Sequence, residues 1–339
     1  MAKPKLTLAD IAKMTGMSTS TVSRALNDSP LINDETKQRI QAIARDHNYH
    51  IHLGARNFRL KKSFVVAVVI PIETSDAATL TNPFILEFIG SVGFELRNNG
   101  YDLLLIQDRK ISERYLRSGL VDGFIQLGHG DYPILNSLPD DIPLTVWGPP
   151  FSGQKYCTVG IDNWALSRTA VEHLLSLGRR RIGLITTHDH VKVTTEASNR
   201  VQGYLEALRN AGLPVDPALI VSTDWNPSSG VGATRQLIEQ APDIDAIFVS
   251  SGDAMALVVM ETLRELGRSM PDEVAIVGFD GSTVGETGAL PLTTVSQEIR
   301  VTGAKLLVES LMQLIDGKKA PTQVIDGKLV VRRSCGAGT

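Results

Sequence analysis

The chain has little that chemistry could be hung on. Only two cysteines occur in 339 residues, Cys157 and Cys335, far apart and without metal-ligand spacing. That argues against a disulfide framework, and it favours a cytoplasmic setting. Aromatic residues make up only 5%. No run of about 18 apolar residues is present, so no membrane span is expected. The first residues, MAKPKLTLADIAKMTG, carry polar and charged groups where a secretory signal would need an apolar core. No GxGxxG, phosphate loop or nucleophile elbow appears, and the glycines of GSTVGETG (281–288) spell none of them. The seven histidines are scattered. His188-Asp189-His190 is the densest group, and two histidines at i, i+2 in a loop lack a third ligand at zinc spacing. No cofactor, metal or catalytic constellation is expected.

Charge is present but uneven. Residues 1–63 hold eleven Lys/Arg and five Asp/Glu, a balance of +6, which leaves −9 for the rest of a chain whose total is −3. A small basic head on a larger acidic body suits contact with a polyanion through the head. The segment TLADIAKMTGMSTSTVSRAL (7–26) has the pattern of two short helices around a tight turn. Thr7 and Asp10 form a capping-box pattern, with Asp in place of the usual Glu or Gln. Leu8, Ile11 and Ala12 repeat at helical spacing. Gly16 can leave the first helix in a left-handed turn, and Ser18 can cap the second. Val22, Ala25 and Leu26 form an inner face, leaving Thr19, Ser20, Ser23 and Arg24 outside. Short hydroxyls reach phosphates and base edges, and Arg pairs with guanine in the major groove. A third helix is expected from Asn33 to about Asp46.

Together, LTLADIAKMTGMSTSTVSRALND and TKQRIQAIARDHNY resemble the DNA-binding head of the lac repressor (LacI) family of bacterial transcription regulators. The resemblance implies base reading by Thr19, Ser20 and Arg24. It implies phosphate contacts by Thr7, Ser18, Thr21, Ser23, Asn27 and Tyr49. Residues 51–63 then correspond to the family's hinge, which orders on specific DNA and wedges an apolar residue into the minor groove. The matching stretch runs from Ala55 to Phe58. Phe58 stands where relatives usually carry Leu, and Ile51-His52 replaces the usual Pro-Asn.

From residue 64, short apolar runs alternate with helical stretches: FVVAVVIP, YDLLLIQ, GFIQLG, PLTVWG, RIGLITT, LIVSTD, AIFVSS and VAIVGFD. Runs without polar alternation suit strands buried on both faces, and strand–helix alternation suits parallel, doubly wound sheets. The number of runs suggests two α/β lobes. Polar residues follow several runs: Asp162, Trp225, Asp253 and Asp280, with Arg200 opening a helix. Strand ends are where open α/β sheets bind ligands. Carboxylates, an Arg and an indole suit a polyhydroxylated ligand. The bland readings are a helix cap for Asp253, a surface ion pair for Arg200 and a core position for Trp225.

The LacI resemblance extends through NPF (82–84), GIDN (160–163), NRVQGYLEALRNAGL (199–213) and PLTTVSQEI (291–299). It implies a helix-turn-helix domain at 1–50, a hinge at 51–63 and a periplasmic-binding-protein-like body of two lobes joined by three crossovers. The N-terminal lobe then spans 64–175 and 296–322, and the C-terminal lobe 176–295 and 323–339. Effector contacts carry over to Phe84, Asp162, Arg200, Trp225, Asp280 and Gln297. Two departures stand out. Gly252 precedes Asp253 where many relatives have Asn, and Gly281 follows Asp280 where many have a second Asp. The implied activity is repression of carbohydrate uptake or catabolism genes by a homodimer on a pseudo-palindromic operator, controlled by a sugar. A nucleobase corepressor, a simple sugar carrier and an α/β enzyme are the alternatives. The basic head argues against the carrier, and the missing catalytic group argues against the enzyme. The C-terminus, QVIDGKLVVRRSCGAGT, reads as a strand and a tail without a heptad repeat, so no tetramerising coiled coil is expected.

Overall fold

The computed structural model describes residues 6–47, 49, 62–70, 80–107, 113–129, 135–188 and 196–337. Ala55, Phe58, Asp189 and His190 lie outside the described residues, as does most of the expected hinge. The chain divides into two compact units, Met1–Ser63 and Phe64–Thr339.

The first unit holds three helices: α1 (Leu8–Thr15), α2 (Thr19–Leu26) and α3 (Asp34–Asp46). Each start is capped as its sequence dictates. Thr7 Oγ1 accepts from Asp10 N while Asp10 Oδ2 accepts from Thr7 N at 2.8 Å, a closed capping box. Ser18 Oγ accepts from Thr21 N at 3.1 Å, and Asn33 Oδ1 accepts from Thr36 N at 2.8 Å. Gly16 ends α1 at φ 70°, in the left-handed region that favours glycine. Ile11, Val22 and Ile40, one from each helix, are fully buried together. At about 1.5–3 kcal/mol for each large side chain, such a core is small, so its three layers matter individually.

The second unit contains two six-stranded sheets. The first is built from β1 (Val65–Ile70), β2 (Asp102–Gln107), β3 (Gly123–Leu127), β4 (Leu144–Trp147), β5 (Cys157–Ile161) and β11 (Gln323–Ile325). Its order is β11-β5-β4-β3-β1-β2, all parallel. The second is built from β6 (Ile182–Thr187), β7 (Ile220–Thr223), β8 (Ala246–Val249), β9 (Ala275–Asp280), β10 (Thr293–Ser296) and β12 (Lys328–Val330). Its order is β12-β10-β9-β8-β6-β7, parallel except for the β10/β12 edge pair. Helices α4 (Pro83–Asn98), α5 (Glu113–Leu116), α6 (Asn163–Ser176), α7 (Glu196–Asn210), α8 (Gly230–Gln240), α9 (Asp253–Glu265) and α10 (Ala304–Ile315) cover the faces.

The unbroken apolar runs have a simple cause. In β1, Val66, Val68 and Ile70 pack into one core while Ala67 and Val69 pack into another on the opposite face. Both faces are covered, so neither set of alternate residues can be polar. The second sheet repeats this arrangement with two cores of its own. Gly203 lets α7 close onto α6, because a Cβ there would lie 2.3 Å from the Trp164 carbonyl oxygen.

The expected lobe boundaries need correction. We expected α6 in the N-terminal lobe, ending at 175. Its Ala170, Val171 and Leu174 instead pack with Ile182, Leu184 and Tyr204 of the second sheet's core, so the chain crosses between β5 and α6. We expected 323 onward in the C-terminal lobe. Gln323–Ile325 instead pairs with Val159–Ile161 in the first sheet, and only Lys328–Val330 joins the second. The remaining crossing lies after β10. The C-terminal stretch is therefore two short strands in different sheets rather than one strand and a tail. Among the described residues no helix is long and apolar enough to cross a membrane.

Candidate functional site

The head presents polar side chains along the exposed face of α2. Ser18, Thr19, Ser20 and Arg24 are exposed, and Thr21 is half-buried. Ser18 Oγ lies 2.8 Å from both Ser20 Oγ and Thr21 Oγ1. These hydroxyls gather at a helix N-terminus, where unsatisfied N–H groups and the helix dipole favour an anion. One expectation changes. Ser23 is only 6% exposed rather than outside, because it lies one helical turn before Leu26 and falls on the packed face. The Asn27 side-chain amide donates to its own helix at the Ser23 carbonyl, 2.6 Å away. Tyr49 packs against the head core, and its N–H donates to the Ala44 carbonyl at 2.8 Å.

In the second unit a polar network forms at the C-terminal ends of strands from both sheets. Trp147, last in β4, donates from Nε1 to Gln297 Oε1 at 3.3 Å. Gln297 follows β10 and donates from Nε2 to Asp280 Oδ1 at 2.7 Å. Asp280 ends β9 at φ 124°, an unusual conformation for a residue with a side chain. The Gln297 N–H holds its carbonyl at 3.1 Å. Arg200, one turn into α7, is 4% exposed. Its Nε donates to Asn163 Oδ1 and its Nη1 to the Ser250 carbonyl, both at 2.8 Å. The guanidinium carbon lies 3.7 Å from the centroid of the Phe279 ring.

Asp253 backs this network. It does not cap α9: Gly252 holds the cap position, and no side chain caps that helix. The Asp253 carboxylate instead accepts from Thr294 Oγ1 at 2.5 Å and from Ser282 N at 2.8 Å. Burial, then the neighbouring Asp280, holds its carboxyl well above the usual range. Burial also pushes Asp280 up to about 6, opposed first by Arg200 and then by the Gln297 amide. Burial lowers Arg200, opposed by Asp280, Glu196 and Asp253. One guanidinium thus sits among carboxylates that are costly to ionise without it.

Arg200, Asp280 and Gln297 are therefore brought together, and Arg200 is no surface ion pair. The other three residues carried over for effector contact lie on other elements. Asp162 is exposed and caps α6, its Oδ1 accepting from Ala165 N at 2.9 Å. Trp225 follows β7 and is 41% exposed rather than in the core. Phe84 is half-buried in the first turn of α4, packed against the first sheet's core. Sequence reasoning missed Trp147, Asn163 and Thr294. Trp147 ends an apolar run and Asn163 follows Asp162 in GIDN, so strand-end position was their only signal. Among the described residues no group of three or more His, Cys, Asp or Glu could hold a metal.

Beside the network, Glu87 of α4 bridges the lobes. Its Oε1 accepts from Thr283 N at 2.8 Å and Thr283 Oγ1 at 2.6 Å, and its Oε2 lies 3.5 Å from Arg300 Nε. Arg300 also donates to Glu286 Oε1 at 2.9 Å. Glu87→Ala is expected to remove about 1–2 kcal/mol. In a domain of this size that lowers the thermal midpoint by roughly 2–8 °C. A calorimetric scan checks it, and an unchanged midpoint would show that the bridge adds nothing to this lobe arrangement.

Residues 7–51 match the family described as bacterial regulatory proteins, lacI family, and residues 171–335 match a periplasmic binding protein-like domain. The chain is 32% identical to the HTH-type transcriptional regulator CelR of Thermobifida fusca, over 97% of this chain and 98% of that one. The chain belongs to the LacI family. A solved structure described as a transcriptional regulator CelR–cellobiose complex is 30% identical with a TM-score of 0.70, covering 97% of this chain and 99% of that one. The lac repressor dimer bound to operator and an anti-inducer shares the fold at 22% identity, with a TM-score of 0.82 over 99% of this chain and 100% of that one. This LacI-family member is a DNA-binding transcriptional regulator with a ligand-binding body, in a family of regulators rather than enzymes.

Proposed function

We propose that the protein is a cytoplasmic repressor of carbohydrate uptake or catabolism genes, released from or recruited to its operator by a sugar held between the lobes. The observation that carries this reading is the buried network of Trp147, Gln297, Asp280 and Arg200, which joins polar groups of both lobes at their strand ends. A ligand there interacts with both lobes, so it binds one lobe arrangement better than another and shifts their balance. Phe84, Asp162 and Trp225 complete the ligand's surroundings. The cellobiose in the CelR complex supports a sugar as the ligand class.

Thr19, Ser20 and Arg24 choose the sequence, while Thr7, Ser18 and Thr21 hold phosphates. The protein acts as a homodimer, whose two-fold symmetry calls for a pseudo-palindromic site. The exposed Leu86 and Phe94 of α4 offer apolar surface for that pairing. DNA and sugar affinities are then coupled reciprocally.

The test is selection of genomic fragments by the full chain at moderate salt, with residues 64–339 as control. Enrichment of a palindromic site by the full chain alone is the expected result, and the flanking genes then nominate the sugar. No enrichment, with pooled sugars and nucleobases present or absent, would overturn the reading.

A further inference from the structure

We propose that the site between the lobes selects for the absence of negative charge: it takes a neutral or amine-bearing sugar and rejects phosphorylated and acidic ones. This rests on the reading above that a sugar binds there.

The first observation is how Arg200 is held. A cation that binds a phosphate or carboxylate presents its donor fork to the anion. Here Nε and Nη1 are engaged by Asn163 and the Ser250 carbonyl, and the Phe279 ring covers the guanidinium face. The charges around it are negative. Asp280, Glu196 and Asp253 all act on Arg200, and Glu87 acts on Asp280. The other cations nearby have partners: Arg300 pairs with Glu87 and Glu286, and Arg332, which acts on Asp253, pairs with Glu286. An incoming anion therefore meets several carboxylates around one buried cation whose Nε and Nη1 are already engaged.

The second observation is a set of polar atoms that call for donors. Glu196 lies on α7 one turn before Arg200. Its Oε1 is buried without a hydrogen-bond partner, pressed against the first lobe where a Cβ on Gly148 would lie 3.0 Å away. A buried carboxylate oxygen without a donor is costly, and such a group is normally satisfied by something further. Ser251 and Ser282 are 6% and 1% exposed, and their hydroxyls also lack partners. Both adjoin Asp280: Ser251 precedes Gly252, whose Cβ position lies 2.7 Å from Asp280 Oδ2, and Ser282 follows Gly281. Sugar hydroxyls or an ammonium donate to a carboxylate such as Glu196; phosphate oxygens cannot.

The experiment is calorimetric titration of the full-length protein with matched sugar sets. Common hexoses, pentoses and their disaccharides are each offered in neutral, 2-amino, 6-phosphate and 6-carboxylate forms. The expected result is binding by a neutral or amino form, with its phosphate at least about 100-fold weaker. Glu196→Gln is expected to weaken the best neutral or amino sugar by roughly fivefold, since the amide oxygen still accepts but without the charge, and to narrow the gap to the phosphate. A phosphorylated or acidic sugar binding as well as its neutral counterpart overturns the charge selection while leaving a sugar site in place. No heat with any form overturns the sugar reading and this inference with it. Unchanged affinities and an unchanged gap in Glu196→Gln overturn the role given to Glu196.

Discussion

Replacing Arg200 with Ala is expected to lower the unfolding free energy of the body by about 3–5 kcal/mol, the usual cost of removing one partner from a buried charged cluster. The guanidinium is 4% exposed, so water cannot replace it without the site opening. Its loss strips donors from Asn163 Oδ1 and the Ser250 carbonyl and leaves Asp280 and Asp253 facing each other. The deficit depends on pH, and its sign follows from Asp280. That carboxyl stands at about 6 in the folded protein against an ordinary 3.8, so the stability it contributes is present below 3.8 and lost as pH rises through 6. Arg200 is the first group holding Asp280 down, so the variant's carboxyl titrates higher still. The gap between variant and parent is therefore wider at pH 8 than at pH 5, where Asp280 is mostly protonated in both. Denaturant titrations at the two pH values measure it. A gap under 1 kcal/mol, or one that narrows toward pH 8, would mean that the carboxylates find compensation elsewhere. The sugar response is expected to vanish in this variant, while operator binding without sugar survives because the head is a separate unit.

Local chemistry was legible in this sequence to a fine grain. The Thr7–Asp10 box, the left-handed Gly16 and the Ser18 cap are interactions within a few residues, so the residue types determine them. The doubly wound body was legible for a related reason: a strand covered on both faces, such as Val65–Ile70, has no polar positions to hide. What failed was allegiance. Nothing in α6 says which sheet it will cover, since both sheets need the same apolar stripe. Gln323–Ile325 and Lys328–Val330 are three residues each, too short for any pattern to assign them to different sheets.

The site divides the same way. Strand-end position singled out Asp280 and a helix start singled out Arg200, and sheet geometry explains why they meet. The fate of Asp253 was not legible. A helix-start Asp is usually a cap, and here Gly252 takes that position while the carboxylate reaches Thr294 and Ser282, both remote in sequence. Trp147 and Gln297 are 150 residues apart and meet across a crossover, a contact that no local pattern encodes. Ser23 was misplaced by a single helical step, about 100°, which is enough to turn a surface hydroxyl into a packed one.

On the DNA side, Arg24→Ala is expected to weaken operator binding by about 1–3 kcal/mol, or roughly 5- to 150-fold, while leaving random-sequence DNA nearly unaffected. Arg24 is exposed near the end of α2, on a helix whose core is held by Val22 and Ala25, so its removal costs the head little stability. The loss therefore reports on DNA alone. Base reading and phosphate binding leave different marks. A guanine contact contributes only on the right sequence, so the specificity ratio falls and the salt dependence stays nearly constant. A phosphate contact contributes on every sequence, so both affinities fall together and the salt slope drops by about one. Titrations of operator and scrambled duplexes across a salt series separate the two. Equal losses on both duplexes would remove Arg24 from base reading. Sequence choice would then fall to Thr19 and Ser20, whose short exposed side chains reach base edges only if α2 enters the groove by its N-terminus.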